Sequence, residues 1–114
     1  MIELPFPAKI LWPNGRGHHM AKHRATKKHR EWARLATLAD RTRPTIESGG
    51  RVRLSITVYP KTKNLIDADN AAAAMKAYQD GIADALKIND NLFDAPRIIF
   101  AEPVKNGLVV VSIV

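Results

Sequence analysis

The run of residues 68–86 constrains the fold more than any other stretch of this sequence. Alanine fills most of its uncommitted positions, and alanine is the best helix former. At 100° per residue, one face of such a helix carries the apolar residues Ala71, Met75, Tyr78, Ile82 and Ala85. The opposite face carries Asp69, Ala73, Lys76 and Asp80. The run therefore predicts one continuous helix that packs on a core and displays two carboxylates and a lysine on its other side.

A second helix is predicted at residues 22–41, which contain neither proline nor glycine. Apolar residues recur there at the spacing of one helix face, namely Trp32, Leu35, Ala36 and Ala39. We expect this apolar seam to face the core of the protein. Residues 47–50 follow as a flexible link.

The strands are predicted from alternation and from short apolar runs. Residues 51–59 alternate between apolar and polar side chains, which indicates a strand with one face on a core. Shorter strands are predicted at 2–4, resuming at 9–12, and at 97–103 and 107–114. The last two flank Asn106-Gly107, a strong hairpin signal. The predicted fold is an α+β single domain of order β-α-β-α-β-β, with two helices on one face of a small mixed sheet.

The net charge of +7 lies entirely in the first part of the chain. Residues 1–44 hold ten lysines and arginines against three acids, and residues 45–114 hold eight of each. This asymmetry indicates a polyanion partner, because each cation that neutralises a phosphate releases condensed counterions. The alternative is a basic surface with no partner.

Composition excludes several classes of protein. The chain has no cysteine, which excludes a disulfide framework and a thiolate site and fits a reducing cytosol. No apolar run approaches the length of a membrane span. A chain of 114 residues buries about two-thirds of its unfolded surface without a staple. We therefore expect a cytoplasmic single domain that does not enter a membrane.

Several residues of the basic part are candidates for DNA contact. The turn at residues 13–17 holds two glycines that can expose backbone N–H groups to a phosphate, although a plain surface turn is an alternative. The candidate DNA-binding residues are Arg16, His18, His19, Lys22, Lys27, Lys28, Arg30 and Arg34. His19 and His23 are four apart, but without a nearby cysteine or carboxylate they are poor zinc ligands. Trp12 could stack on a base or be buried.

The acidic residues are concentrated in the stretch 67–94, which holds six of the eleven in the chain. Mg²⁺ prefers oxygen ligands and is typically held by one or two carboxylates, with water and substrate phosphates completing its shell. Asp67, Asp69 and Asp90 would supply such an incomplete shell if they converge. Lys76 on the same helix face would then stabilise negative charge on a phosphate.

The acidic stretch has two other interpretations. An EF-hand loop starting at Asp67 would need glycine at its sixth position and glutamate at its twelfth, which are Ala72 and Tyr78 here, so it is excluded. The second is an N-cap aspartate followed by a solvated helix face with an Asp80–Lys76 pair. Asp84 and Asp94 are interpreted as surface or capping groups.

The acidic stretch resembles a known family. The segments that carry the resemblance are Asp67-Ala68-Asp69-Asn70, Lys76, residues 80–86 and Asn89-Asp90-Asn91. They are similar to the motifs of the RusA family of Holliday-junction resolvases of phages and prophages. Residues 4–7, 13–16 and 27–30 also look like the amino-terminal part of phage members. Two departures are that Asn89 stands where the family usually has aspartate, and that the spacing from Asp69 to Lys76 is longer.

The resemblance implies a homodimeric crossover junction endodeoxyribonuclease that needs Mg²⁺, with Mn²⁺ as a substitute, and nicks a four-way DNA junction on two strands. It implies catalysis by Asp67, Asp69, Lys76 and Asp90, with the three aspartates as metal ligands. A two-fold dimer would supply two equivalent sites. Residues 1–114 would form one RusA-like domain, in which 1–44 bind DNA and 67–94 carry catalysis, acting in the cytoplasm of a bacterial host. The alternatives are a non-catalytic branched-DNA-binding module and a nuclease for flaps or other branched DNA.

Overall fold

The computed structural model describes residues 1–13, 18–46, 50–64 and 66–113. Its helices and strands are β1 (Ile2–Leu4), α1 (His19–Ala39), β2 (Leu54–Tyr59), α2 (Ala68–Ala74), α3 (Lys76–Leu86), β3 (Arg97–Phe100) and β4 (Leu108–Ile113). The α+β single domain with a mixed sheet is thereby confirmed. Arg16, with most of its turn, and most of the link at 47–50 lie outside the described residues.

The four strands form one sheet of order β1-β4-β2-β3. β4 pairs antiparallel with both β1 and β2, whereas β3 pairs parallel with β2. The predicted alternation is confirmed, since Leu54, Ile56 and Val58 are buried and the residues between them are half-buried. In register, Ile2 lies beside Val111, which lies beside Ile56. The apolar side chains of three strands therefore share one face.

The predicted hairpin between the last two strands is wrong, because β2 lies between β3 and β4. The turn itself forms: Asn106 and Gly107 have φ of 67° and 69°. The segment before it, however, continues along β2, since Ala101 N–H donates to the carbonyl oxygen of Val58 at 2.9 Å. Val104 N–H then donates to that of Pro60 at 3.0 Å. The chain thus crosses the end of β2 before it turns back.

The predicted resumption of the first strand at 9–12 is also wrong. A 3-10 turn spans Lys9–Leu11, with Leu11 N–H donating to the carbonyl oxygen of Ala8 at 2.9 Å. Trp12 is half-buried after it. Its ring stacks on Phe6 at 5.3 Å between centroids, and its Nε1–H donates to the carbonyl oxygen of Pro7 at 3.2 Å. This tryptophan therefore packs within the protein.

α1 crosses α3 through small residues, which corrects the predicted seam. The buried residues of α1 are His29, Ala33 and Thr37. Of the predicted seam, Trp32 and Ala36 are partly buried and pack against the core, whereas Leu35 is 51% exposed and Ala39 is exposed. The reason lies in α3, where a Cβ atom on Gly81 would stand 2.1 Å from the carbonyl oxygen of Arg30. Because α1 and α3 approach each other closely at Gly81, the buried stripe of α1 is centred on Ala33, and Leu35 faces the solvent.

The predicted continuous helix at 68–86 is divided at Met75, so three α-helices are present among the described residues. Met75 has ψ of −2°, far from the usual helical value near −42°, and α3 begins directly after it. The predicted apolar face is confirmed, since all five of its members are buried. Met75, Tyr78 and Ile82 join residues of β1, β2, β4 and α1 in one core.

Two buried polar side chains hold the amino-terminal segment against the helices. Tyr78 O–H donates to the carbonyl oxygen of Pro5 at 2.6 Å. Nε2 of His29 accepts from Ala8 N–H at 3.1 Å, so Nδ1 carries the proton and donates to the carbonyl oxygen of Ala25 at 2.7 Å. Burial lowers the pKa of His29, which favours the neutral form of the ring.

Among the described residues no helix is both long and apolar enough to span a membrane.

Candidate functional site

Lys76, at the start of α3, joins two carboxylates. Its Nζ donates to Asp80 at 2.9 Å and to Asp90 at 3.0 Å. The hydrogen bond with Asp80 is the main cause that raises the pKa of Lys76. The hydrogen bond from Lys76 is in turn the main cause that lowers the pKa of Asp90. The lysine therefore stays protonated and Asp90 stays ionised near neutral pH.

The turn after α3 brings Asp90 back to the first turn of that helix. Lys87 ends α3 in the left-handed conformation, with φ of 58°. Asn89 then caps the short turn Asp90–Leu92, since its Oδ1 accepts from Asn91 N–H at 3.2 Å. Asn89 is the residue at which the sequence departs from the RusA pattern, and here its side chain serves the turn that positions Asp90.

An interhelical ion pair lies beside Asp90. Nε and Nη2 of Arg30 donate to the two oxygens of Asp84 at 2.6 and 2.8 Å, and this hydrogen bonding lowers the pKa of Asp84. Both residues line a polar cavity of about 250 Å³ together with Asp80, Asn89 and Asp90. Asp84 is thus a surface group, as predicted. Its carboxylate also holds the guanidinium of Arg30 beside the cavity.

A second cavity lies on the other side of Asp80. It has a volume of about 380 Å³, and Lys76, Asp80 and Ala73 line one wall. Lys22 and Thr26 of α1 line another. Asp80 therefore lines both cavities, of which the second is the more apolar, and its side chain is only 21% exposed. Sequence spacing places Asp80 beside Lys76, but the joint contact with Asp90 depends on the turn after α3.

Asp67 and Asp69 lie at the start of α2. Asp67 caps the helix: its Oδ1 accepts from Asp69 N–H at 2.8 Å and from Asn70 N–H at 3.4 Å. Within the described ranges no hydrogen bond or ion pair joins either carboxylate to Lys76 or Asp90. The described part of the chain contains no group of three Asp, Glu or His side chains placed to hold a metal. The role of Asp67 and Asp69 as ligands stays a prediction.

Asp80 and Asp90 can supply only part of the coordination shell of a Mg²⁺ ion. Asp80 and Asp90 both reach the ammonium of Lys76, so their oxygens face one position. Mg²⁺ is commonly held by one or two carboxylates plus water and substrate phosphates. A divalent ion bound by both would have to displace the ammonium, because the two cations compete for the same oxygens.

Five cationic residues of α1 are predicted to bind DNA, and two of them, both arginines, form ion pairs within the protein. Lys22, Lys27 and Lys28 are exposed, whereas Arg30 pairs with Asp84. Arg34 pairs with Glu31, with Nε donating at 3.0 Å. The phosphate contacts predicted for all five residues stay predictions.

Both predicted histidines lie at the start of α1. Nδ1 of His18 accepts from Met20 N–H at 3.1 Å and caps the helix. The ring of His19 lies 4.4 Å from that of His18. The roles predicted for His18 and His19 in DNA binding stay predictions.

Comparison with known proteins gives the chain a relative by sequence but no activity. No family model matches it. A protein of Xylella fastidiosa, described as an uncharacterized protein, is 40% identical to it over 113 residues. The alignment covers 98% of this chain and 74% of that protein. This chain therefore belongs to the same family as the Xylella fastidiosa protein.

Proposed function

We propose that the protein is a Mg²⁺-dependent endonuclease, similar to the RusA family, that nicks four-way DNA junctions. The observation that supports this most is that Asp80 and Asp90 meet at the ammonium of Lys76, with a polar cavity beside them. A basic helix borders this cavity through Arg30 and the second cavity through Lys22. The proposal thus combines cation-binding oxygens with a surface that attracts phosphate.

The residues of the cluster would take distinct roles in phosphodiester hydrolysis. When bound, Mg²⁺ would polarise the scissile phosphate and activate a water molecule. Asp80 and Asp90 would hold the ion, and Lys76, released from them, would stabilise the charge that develops on the phosphate. Asp67 and Asp69 would share this ion only if their carboxylates came within ligand distance of it.

The test is a cleavage assay on a synthetic four-way junction, a flap and a linear duplex, each with Mg²⁺ or with EDTA. Asp90→Asn is expected to reduce junction nicking by about 100-fold or more, since it removes a charged oxygen from the site. Asp94→Asn is the matched control, because Asp94 pairs with Arg51 instead, at 2.7 Å. If Asp90→Asn nicks as well as the unaltered protein, the proposed site is wrong.

Asp69→Asn tests the residue that the family resemblance implies. It is expected to abolish nicking while junction binding stays intact or becomes tighter. Normal cutting by this variant would exclude Asp69 from catalysis. Two equivalent active sites in a homodimer would suit paired nicks in a symmetric junction.

A non-catalytic branched-DNA-binding module is the second candidate. It is favoured by the capping role of Asp67 and by the lack of a three-ligand metal group in the described ranges. Such a module would bind the junction equally well in Mg²⁺ and in EDTA and would cut none of the three substrates. A nuclease for flaps would instead cut the flap in preference to the junction.

A further inference from the structure

The outward face of α1 combines an aromatic ring with several cations. A shallow cavity of about 310 Å³ is lined by Arg24, Lys27, Lys28, Glu31 and Trp32. By helical geometry Arg24, Lys27, Lys28 and Glu31 lie on the side of α1 opposite Ala33, which is buried, and Trp32 lies at the edge of that side, about 100° from Ala33. Three cations face the cavity against one carboxylate. The cavity is therefore positively charged as well as partly apolar.

Glu31 does not cancel this charge. Its carboxylate is paired with Arg34, which is not among the residues that line the cavity. Arg24, Lys27 and Lys28 are exposed, so their charged groups can reach an anion in solution. Arg24 and Lys28 precede Trp32 by two turns and one turn, or about 12 and 6 Å along the helix axis. A ligand on the ring would thus have cations along one side.

Trp32 is packed on one side and lines the cavity with the rest of its surface. It is half-buried, it packs against the core, and its ring lies 4.7 Å from that of His29 between centroids. The Nζ atom of Lys28 lies 5.0 Å from the centroid of the Trp32 ring. A planar group in the cavity would take the place of this ammonium on the ring.

We propose that this cavity binds an unpaired base of single-stranded DNA. The base stacks on Trp32, because every base has a π-face and stacking tolerates any sequence. Arg24, Lys27 and Lys28 bind the flanking phosphates, with Lys28 leaving the ring for a phosphate. Bases within a duplex already stack on their neighbours, so only an unpaired base fits. The inference rests on the proposed function in one respect, namely that the branch point of the DNA supplies the unpaired base.

The test uses Trp12→Phe protein, in which Trp32 is the remaining tryptophan. Its fluorescence is followed in EDTA during titration with a thymidine oligonucleotide of about ten nucleotides, within the usual range of site sizes. An abasic oligonucleotide of equal length and charge and a duplex of equal length are the comparison ligands. We expect the thymidine strand to quench Trp32 and to bind about 10-fold or more tightly than the abasic strand. Neither comparison ligand should quench.

Variants separate the base from the phosphates. Trp32→Leu is expected to bind the thymidine strand as weakly as the abasic one. Lys28→Met should weaken both by a similar factor, while Lys105→Met, in a distant turn, should change neither. Equal affinity for the two strands, or binding without quenching in the folded Trp12→Phe protein, would overturn the inference. Because no cleavage is measured, failure of the nuclease proposal would leave this result unchanged.

Discussion

Replacing Gly81 by alanine tests how closely α1 and α3 approach each other. A Cβ atom at this position would stand 2.1 Å from the carbonyl oxygen of Arg30 and 2.8 Å from the Cβ of Ala33. Neither atom can rotate away, because one is backbone and the other is a methyl group on a buried helix face. The helices would have to separate, and overpacking of this kind costs about 1–3 kcal/mol and occasionally more.

The gain in helix propensity offsets only part of this cost. Alanine is more favourable than glycine in a helix by about 1 kcal/mol. The closest contact is with backbone, so the packing cost lies at the upper end of its range, and the free energy of unfolding falls by about 2 kcal/mol. With a urea m-value of about 1–3 kcal/mol per molar, the midpoint of denaturation falls by about 1 M.

The assay is urea denaturation followed by far-UV circular dichroism. Ala73→Gly is the control, because Ala73 is exposed on α2 and the substitution reports helix propensity without crowding, at a cost of up to about 1 kcal/mol. Gly81→Ala protein that denatures at the same urea concentration as the unaltered protein, or at a higher one, would refute the close crossing.

Three further predictions concern the charged groups. Lys76→Met is expected to raise the pKa of Asp90, which the hydrogen bond from Lys76 holds low; a carboxyl titration by NMR that is identical in both proteins would contradict this. Because the folded-state pKa of Asp90 is lowered, its contribution to stability is present above the unfolded-state pKa and is lost as the pH falls through the folded-state value. Asp67→Ala should lose about 1 kcal/mol in a denaturation assay, because it removes the cap of α2, whereas Asp67→Asn keeps a capping side chain. Loss of nicking by stable Asp67→Asn protein would support a metal-binding role, and normal nicking would exclude it. Lys27→Ala with Lys28→Ala should reduce the slope of log affinity for a junction against log salt by about two, with Lys105→Ala as the control; an unchanged slope would show that the two lysines do not contact phosphate.

The elements that sequence predicted well are those in which a local pattern records burial directly. Alternation in β2 places Ile56 and Val58 on the core side, as found. The apolar face of the alanine-rich run, which includes Tyr78 and Ile82, is likewise buried. Each pattern is the period of one element, 2 for a strand and 3.6 for a helix, so it can be detected without knowledge of the neighbours.

The elements that sequence predicted wrongly depend on a distant partner. Leu35 belongs to the apolar seam predicted from sequence. The buried stripe is centred on Ala33 instead, because Gly81 lies close to α1. Asn106-Gly107 forms its turn, but the strand before it pairs with β2 rather than with β4. In both cases the local signal was present, and a long-range contact decided which residues it would bring together.

The amino-acid sequence by itself determined the basic first part of the chain, the acidic stretch at 67–94 and the presence of Lys76 and Asp80 one turn apart. Only the tertiary structure decided that Asp90 completes the contact with Lys76 and that Arg30 of α1 pairs with Asp84. The physical reason is that the period of a helix shows only which residues of that helix lie on one face, one turn apart. Contacts between α1, α3 and the turn after α3 depend on how separate elements pack and where each one ends.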